Sequence, residues 1–202
     1  MRFISHLDMT RFMSRLIRRA NIPVWYTEGF NPHLYMTFAL PLSLGFESDY
    51  NVLDIRVLDD AYDISVLPEK LNAACPPYIT FFDVAEPIKK AGDVAAAKFD
   101  ILFDDNGEIA DALNRFFNMD SIKILKKTKK GDIKELEVAD KIKGFSIESN
   151  GNTKLSITLP AGSTENLNPE LFLNAFFELN GKYYCYVINR TAILDSNGKP
   201  FR

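Results

Sequence analysis

The apolar positions near the start of the chain fall on one helical face. Met9, Phe12, Met13, Leu16, Ile17 and Ala20 follow the i, i+3, i+4, i+7, i+8, i+11 series, so the spacing predicts an amphipathic helix over residues 8–20. Ser5 with Asp8 three residues on has the form of a capping box, which places His6 in the first turn. Asn21 and Pro23 supply the stop, and Arg2-Phe3-Ile4 ahead of the cap reads as the tail of a strand. The period then changes to two. Residues 24–27 are β-prone, and Gly29-Phe30-Asn31-Pro32-His33 breaks the chain with a turn. Residues 34–46 are mostly apolar but hold Pro41 and Gly45, which suits an edge segment followed by a loop. Residues 52–58 alternate as a strand, residues 64–74 suit a short helix, and residues 79–85 suit another strand.

After a linker at 89–97 the second half repeats that order. Strand 98–103, helix 108–117 and strand 121–127 lead to a hairpin tip at 129–132. Strands at 134–138, 144–148 and 154–159 follow, with an Asn150-Gly151 turn before the last of these. Asn168 caps a helix over 169–179, and residues 183–194 form the final strand. Each half therefore predicts a βαββαβ unit. The expected fold is α+β, with two tandem ferredoxin-like units whose antiparallel sheets carry their helices on one face. The units are residues 1–88, with an insert at 28–50, and residues 98–202.

Composition narrows the chemistry. The 202 residues contain no apolar run near the roughly 20 residues that span a bilayer, and no secretory leader pattern, so a cytoplasmic protein without a membrane partner is expected. Cys75 and Cys185, far apart in sequence, suit free thiols in a reducing compartment. They cannot supply an iron–sulfur cluster or a four-ligand zinc site. Gly-rich phosphate loops, Gly-x-Ser-x-Gly elbows and His-Glu-x-x-His helices are absent from the sequence, so no cofactor, metal site or self-contained catalytic motif is expected. The formal charge of −3 is unevenly spread: residues 1–45 carry +3 and the remainder −6. A basic end on an acidic body argues for a local anionic partner.

The candidate residues lie in that basic end. Arg11, Arg15 and Arg18 recur along the helix opposite its apolar stripe, with Arg19 beside them. Guanidiniums so arrayed can hold phosphates bidentately, although the same spacing describes a solvated helix face. His6 and His33, with Asp8 and Glu28, could form an acid/base or metal cluster if the chain after the helix returns alongside it. Residues 29–32 could aim backbone amides or the Phe30 ring at a ligand, or simply make a tight turn with a buried Phe. Lys123, Lys126, Lys127, Lys129 and Lys130 flank a hairpin that is either solvated or an RNA contact.

The run Arg2-Phe3-Ile4-Ser5-His6-Leu7-Asp8, then Arg11-Phe12 and Arg18-Arg19-Ala20, is distinctive. Together with Glu28-Gly29-Phe30-Asn31-Pro32-His33, Phe38-Ala39, Pro41-Leu42 and Gly45, it resembles the bacterial radical SAM-linked family. That family is a domain of unknown function fused to radical SAM proteins or encoded beside them. The resemblance covers residues 2–45 and implies an accessory domain working with a radical SAM partner. The expectation is therefore a non-catalytic accessory module that binds tRNA or rRNA, or presents substrate. Its candidate contacts are Arg11, Arg15, Arg18, Arg19, His6, Glu28, Phe30, Asn31 and His33. Two alternatives remain open: a nuclease or nucleotide-modifying enzyme using His6 and His33, and a protein–protein adaptor docking through residues 34–46.

Overall fold

A side-chain cap and a one-sided apolar stripe make the first helix. Ser5 is extended, its Oγ accepts from the Asp8 N–H at 3.1 Å, and its hydroxyl donates to Asp8 Oδ2 at 2.7 Å. The helix ends where Asn21 turns left-handed (φ 52°), two residues before Pro23. Met13, Leu16 and Ile17 are buried and Phe12 is half-buried, as the stripe predicts.

The structure is a computed structural model and describes residues 2–127 and 131–201. In chain order its elements are α1 (His6–Arg19), β1 (Met36–Phe38), β2 (Glu47–Ser48), β3 (Leu53–Ile55) and α2 (Leu67–Ala74). Then come β4 (Val94–Phe103), α3 (Ala110–Phe117), β5 (Lys123–Lys127), β6 (Ile133–Glu137), β7 (Gly144–Asn150), β8 (Asn152–Pro160), α4 (Pro169–Asn180) and β9 (Tyr186–Asp195). The fold is α+β, with antiparallel sheets and four α-helices among the described residues. Two compact units emerge: Asn51–Ala91 joins the stretch up to Gly45, while Phe46–Tyr50 joins Gly92–Phe201.

In the first unit α1 and α2 cover one face of a small sheet. Met13, Leu16 and Ile17 of α1 and Leu67 and Leu71 of α2 pack with Val24, Leu34, Met36, Phe38, Leu53 and Ile55. β1 and β3 pair antiparallel, Phe38 opposite Leu53. The four-stranded sheet expected here is not present among the described residues, for three reasons. Residues 2–4 lie in a turn and the start of the cap. Residues 24–27 divide their pairing between two partners, as single bridges Val24–Val57 and Tyr26–Leu34. Residues 79–85 are not a strand, because the Asn72 side chain takes the place of one: its Nδ2 donates to the Phe81 carbonyl at 2.7 Å and its Oδ1 accepts the Phe81 N–H at 2.8 Å.

The second unit is built on a five-stranded sheet in the order β2-β9-β4-β8-β7, antiparallel except that β2 runs parallel to β9. The crossovers β4–α3–β7 and β8–α4–β9 each join strands separated by one antiparallel neighbour. Their helices meet the sheet through aromatic rings, Phe117 5.4 Å from Phe145 and Phe177 6.4 Å from Phe103, and meet each other through Phe116, 5.6 Å from Phe176. β5 and β6 form a separate hairpin inserted between α3 and β7, anchored by buried Ile122 and Ile124. Lys129 and Lys130 lie outside the described residues. Residues 94–97, read from sequence as linker, belong to β4, since Val94, Ala96 and Ala97 are buried core.

The turn after β8 needs its glycine. A Cβ on Gly162 would collide with the Val94 carbonyl oxygen, a backbone atom that cannot step aside alone. Gly162→Ala is expected to cost about 1–3 kcal/mol, read as a lower denaturant midpoint at unchanged slope.

Candidate functional site

The outward face of α1 carries Arg11, Arg15, Arg18 and Arg19, and all four are exposed. Two are partly engaged. Arg11 Nη1 lies 3.3 Å from Asp8 Oδ1 with both side chains 61% exposed, so the pair contributes little to stability. The Asp8 carboxyl sits below the ordinary range, chiefly through the Ser5 hydroxyl and then through Arg11. Arg18 Nε donates to the Tyr26 hydroxyl at 2.9 Å, with its guanidinium 5.5 Å from the ring centroid. Arg15 and Arg19 make neither a hydrogen bond nor an ion pair among the described residues. Helix geometry thus presents four cations to solvent and leaves two of them without a hydrogen bond or ion pair among the described residues.

The two histidines rest on separate supports. The His6 ring stands edge-on to Phe38 at 5.4 Å. His33 closes a hairpin, its N–H donating to Thr27 Oγ1 at 3.1 Å while its carbonyl accepts the Thr27 N–H at 2.8 Å. Its ring Nδ1 lies 3.0 Å from Thr27 Oγ1 and 3.2 Å from the Asn31 carbonyl. Neither imidazole hydrogen-bonds to the other, to Asp8 or to Glu28. Among the described residues no group of three or more His, Cys, Asp and Glu side chains could hold a metal. At the hairpin tip Gly29 adopts φ 117°, and Phe30, flanked by exposed Glu28 and Asn31, projects wholly into solvent (106% exposed). The turn is therefore tight, but its Phe is not buried.

The apolar segment 34–46 is largely spent inside the chain. Leu34, Ala39, Leu40 and Phe46 are buried, leaving Tyr35 and Leu44 as its exposed large apolar side chains. Elsewhere, Lys123 pairs with Glu135 at 2.9 Å, and Lys126 Nζ donates to the Asn166 carbonyl at 3.0 Å, so these two lysines of the hairpin are engaged, while the Lys127 side chain lies outside those described. Cys75 and Cys185 are free thiols, and burial raises the Cys75 thiol against the pull of Arg19. In the second unit a depression of about 540 Å³ is lined by Leu102, Asn106, Glu148, Gly151 and Lys154 among others. Its lysine is paired to Glu148 at 2.9 Å.

The sequence reading missed one cluster. Trp25, Tyr35 and Arg56 stand where three strand segments meet, each switching partner at that residue. The Tyr35 N–H donates to the Trp25 carbonyl at 3.0 Å, Trp25 N–H to Arg56 at 2.8 Å, and Arg56 N–H to Tyr35 at 3.4 Å. This closed ring of backbone bonds gathers the side chains on the face opposite α1 and α2. The indole and phenol rings meet edge-on at 5.6 Å, and the Arg56 guanidinium lies over the indole at 4.8 Å. The available signal was the alternation itself: with Val24 and Tyr26 turned to the core, Trp25 must face away.

The sequence profile of the family described as "Uncharacterized protein conserved in bacteria (DUF2344)" matches residues 1–169, and the chain belongs to that family. Its description names neither a reaction nor a partner. No protein with a curated description matches the chain. No helix among the described residues is long and apolar enough to cross a membrane.

Proposed function

We propose that this chain is a non-catalytic RNA-binding or substrate-presenting module of a radical SAM system, and that α1 is its phosphate-binding surface. The observation that carries this reading is the division of labour on α1. Its apolar stripe packs in the core, with Met13, Leu16 and Ile17 buried, while Arg11, Arg15, Arg18 and Arg19 all face solvent and Arg15 and Arg19 make no hydrogen bond or ion pair among the described residues. Guanidiniums left in solvent keep their forked donors for the two unesterified oxygens of a singly charged phosphodiester, at small desolvation cost. The acidic remainder of the chain, −6 in formal charge, confines the attraction to this end and favours tRNA or rRNA held locally over a strand coated along its length. The radical SAM partner rests on the resemblance of residues 2–45. The β4–α3–β7–β8–α4–β9 order, with β4 and β8 central, supports a ferredoxin-like second unit.

The enzyme reading has less support, because His6 and His33 share neither a partner nor a carboxylate. The adaptor reading is weakened because segment 34–46 buries Leu34, Ala39, Leu40 and Phe46 and half-buries Met36, Phe38 and Leu42.

The test is the salt dependence of RNA binding. Three or four phosphate contacts predict a log–log slope of about −2 to −4, at about −0.7 to −0.9 per contact. An anisotropy titration with structured RNA between about 50 and about 300 mM salt reads that slope. Arg15→Ala/Arg18→Ala should flatten it by about 1.5, whereas His33→Ala should leave it unchanged. Binding that ignores salt, or no binding at low salt, transfers the assignment to the adaptor.

A further inference from the structure

We infer that the Trp25–Tyr35–Arg56 cluster is a stacking platform for the bases of single-stranded RNA. It is a second surface of the first unit, on the sheet face opposite the helices, and it rests on the RNA reading only for the identity of the strand.

Three observations lead there. First, the cluster is built rather than incidental. The ring of backbone hydrogen bonds at the three-way junction fixes all three Cα positions, and the mutual contacts of the two rings and the guanidinium restrict the side chains before a ligand arrives. Second, its outer surfaces are available. Tyr35 is 46% exposed, Arg56 is exposed, and the Arg56 guanidinium makes no hydrogen bond or ion pair among the described residues. A guanidinium lying over an indole offers its outer plane to a further planar ring and keeps five N–H donors for base edges or phosphate. Third, the surroundings suit a base more than a bare anion or an apolar peptide. On this face the alternation also sets Thr27, His33, Thr37 and Asp54, with Asp54 across from Thr37. Those are donors and acceptors for a Watson–Crick edge, and the same alternation adds one exposed aliphatic side chain, Leu58, two residues beyond Arg56. Asp54 is half-buried, and desolvation raises its carboxyl above the usual range. Bases unstacked from a duplex are what aromatic and guanidinium planes accept, so the strand is single.

Trp25 is the only tryptophan, which makes the platform its own reporter. Titrating the protein with a single-stranded RNA decamer should quench its emission, while a duplex of equal length should not. Losing one stacking partner should weaken single-strand binding by about five- to 150-fold. Arg56→Lys keeps the charge but loses the plane, and Tyr35→Leu keeps bulk but loses the ring, so both should show that loss. Tyr35→Phe keeps the ring and should bind as wild type. Anisotropy of the same decamer, labelled, separates this from the helix face. If it binds but leaves Trp25 emission unchanged, or if Arg56→Lys and Tyr35→Leu bind undiminished, the platform is overturned and the α1 reading stands. If Arg15→Ala/Arg18→Ala abolishes structured-RNA binding while decamer quenching persists, the platform stands by itself. Equal quenching by free AMP at the same base concentration overturns the assignment to a strand. Loss in Tyr35→Phe as well as Tyr35→Leu makes the hydroxyl the contact and overturns stacking. No binding of the decamer by either readout overturns the platform, and no binding of structured RNA at low salt overturns the α1 reading.

Discussion

Asp105→Ala is expected to destabilise the second unit by about 3–5 kcal/mol at neutral pH, a loss out of proportion to one side chain. Asp105 is 4% exposed and ties three backbone segments together. Its carboxylate accepts the Thr153 N–H at 2.7 Å, the Thr153 hydroxyl at 2.6 Å and the Ile109 N–H at 3.0 Å. It thereby caps the turn into α3 and pins the start of β8. Alanine removes the acceptor and leaves those donors buried without partners, each at about 1–3 kcal/mol. Burial alone would raise this carboxyl, but the bonds from Thr153, Ile109 and Gly107 outweigh it, and the net shift is downward. The sign for stability follows. A carboxyl depressed in the folded state contributes fully above the unfolded value of about 3.9, and the contribution fades as pH falls through the lower, folded value. Urea unfolding of wild type and Asp105→Ala should therefore differ most near neutrality and converge in acid. A difference that holds undiminished through the acid range would assign the effect to shape and not to the ionised carboxylate.

That network marks the boundary of what the sequence makes legible. α1 and α4 are readable because their signals are local: Ser5 and Asn168 accept the N–H groups of residues two or three ahead, and Gly181 ends α4 in the left-handed conformation at φ 69°. The alternation of β8 and β9 is readable for the same reason. Asp105 bonds to a residue 48 positions away, which no local pattern announces. The junction at Trp25, Tyr35 and Arg56 is hidden similarly, because each strand segment has strand-like sequence while its change of partner is a tertiary event. Residues 79–85 show the converse. Their β-prone sequence is real, yet the Asn72 side chain satisfies Phe81 before any strand can. Among the candidate contacts, the arginine face was visible from spacing alone. That Arg18 would lean on Tyr26 was not, since it depends on how the chain returns after Pro23.

Leu16→Ala and Arg15→Glu, neighbours on α1, should behave as opposites. Leu16 is 0% exposed at the centre of the packing between α1, α2 and the sheet, and removing its branched carbons leaves a cavity that a helix held on two sides cannot close. The expected loss is about 2–5 kcal/mol, seen as a lower midpoint for the first unit. Arg15 lies one residue earlier on the opposite face, exposed and with no ion pair among the described residues to lose. Its reversal to Glu should move stability by no more than about 0.5 kcal/mol. Binding should rank them the other way. Arg15→Glu removes one phosphate contact and sets a carboxylate in its place, flattening the salt slope by at least about 0.7. Leu16→Ala, measured below its unfolding temperature, should keep the wild-type slope because every guanidinium stays on its face. Circular dichroism melts and salt-series anisotropy on the two variants give all four quantities. If Arg15→Glu melts with Leu16→Ala, the arginine face holds the fold together and is not a surface waiting for a ligand.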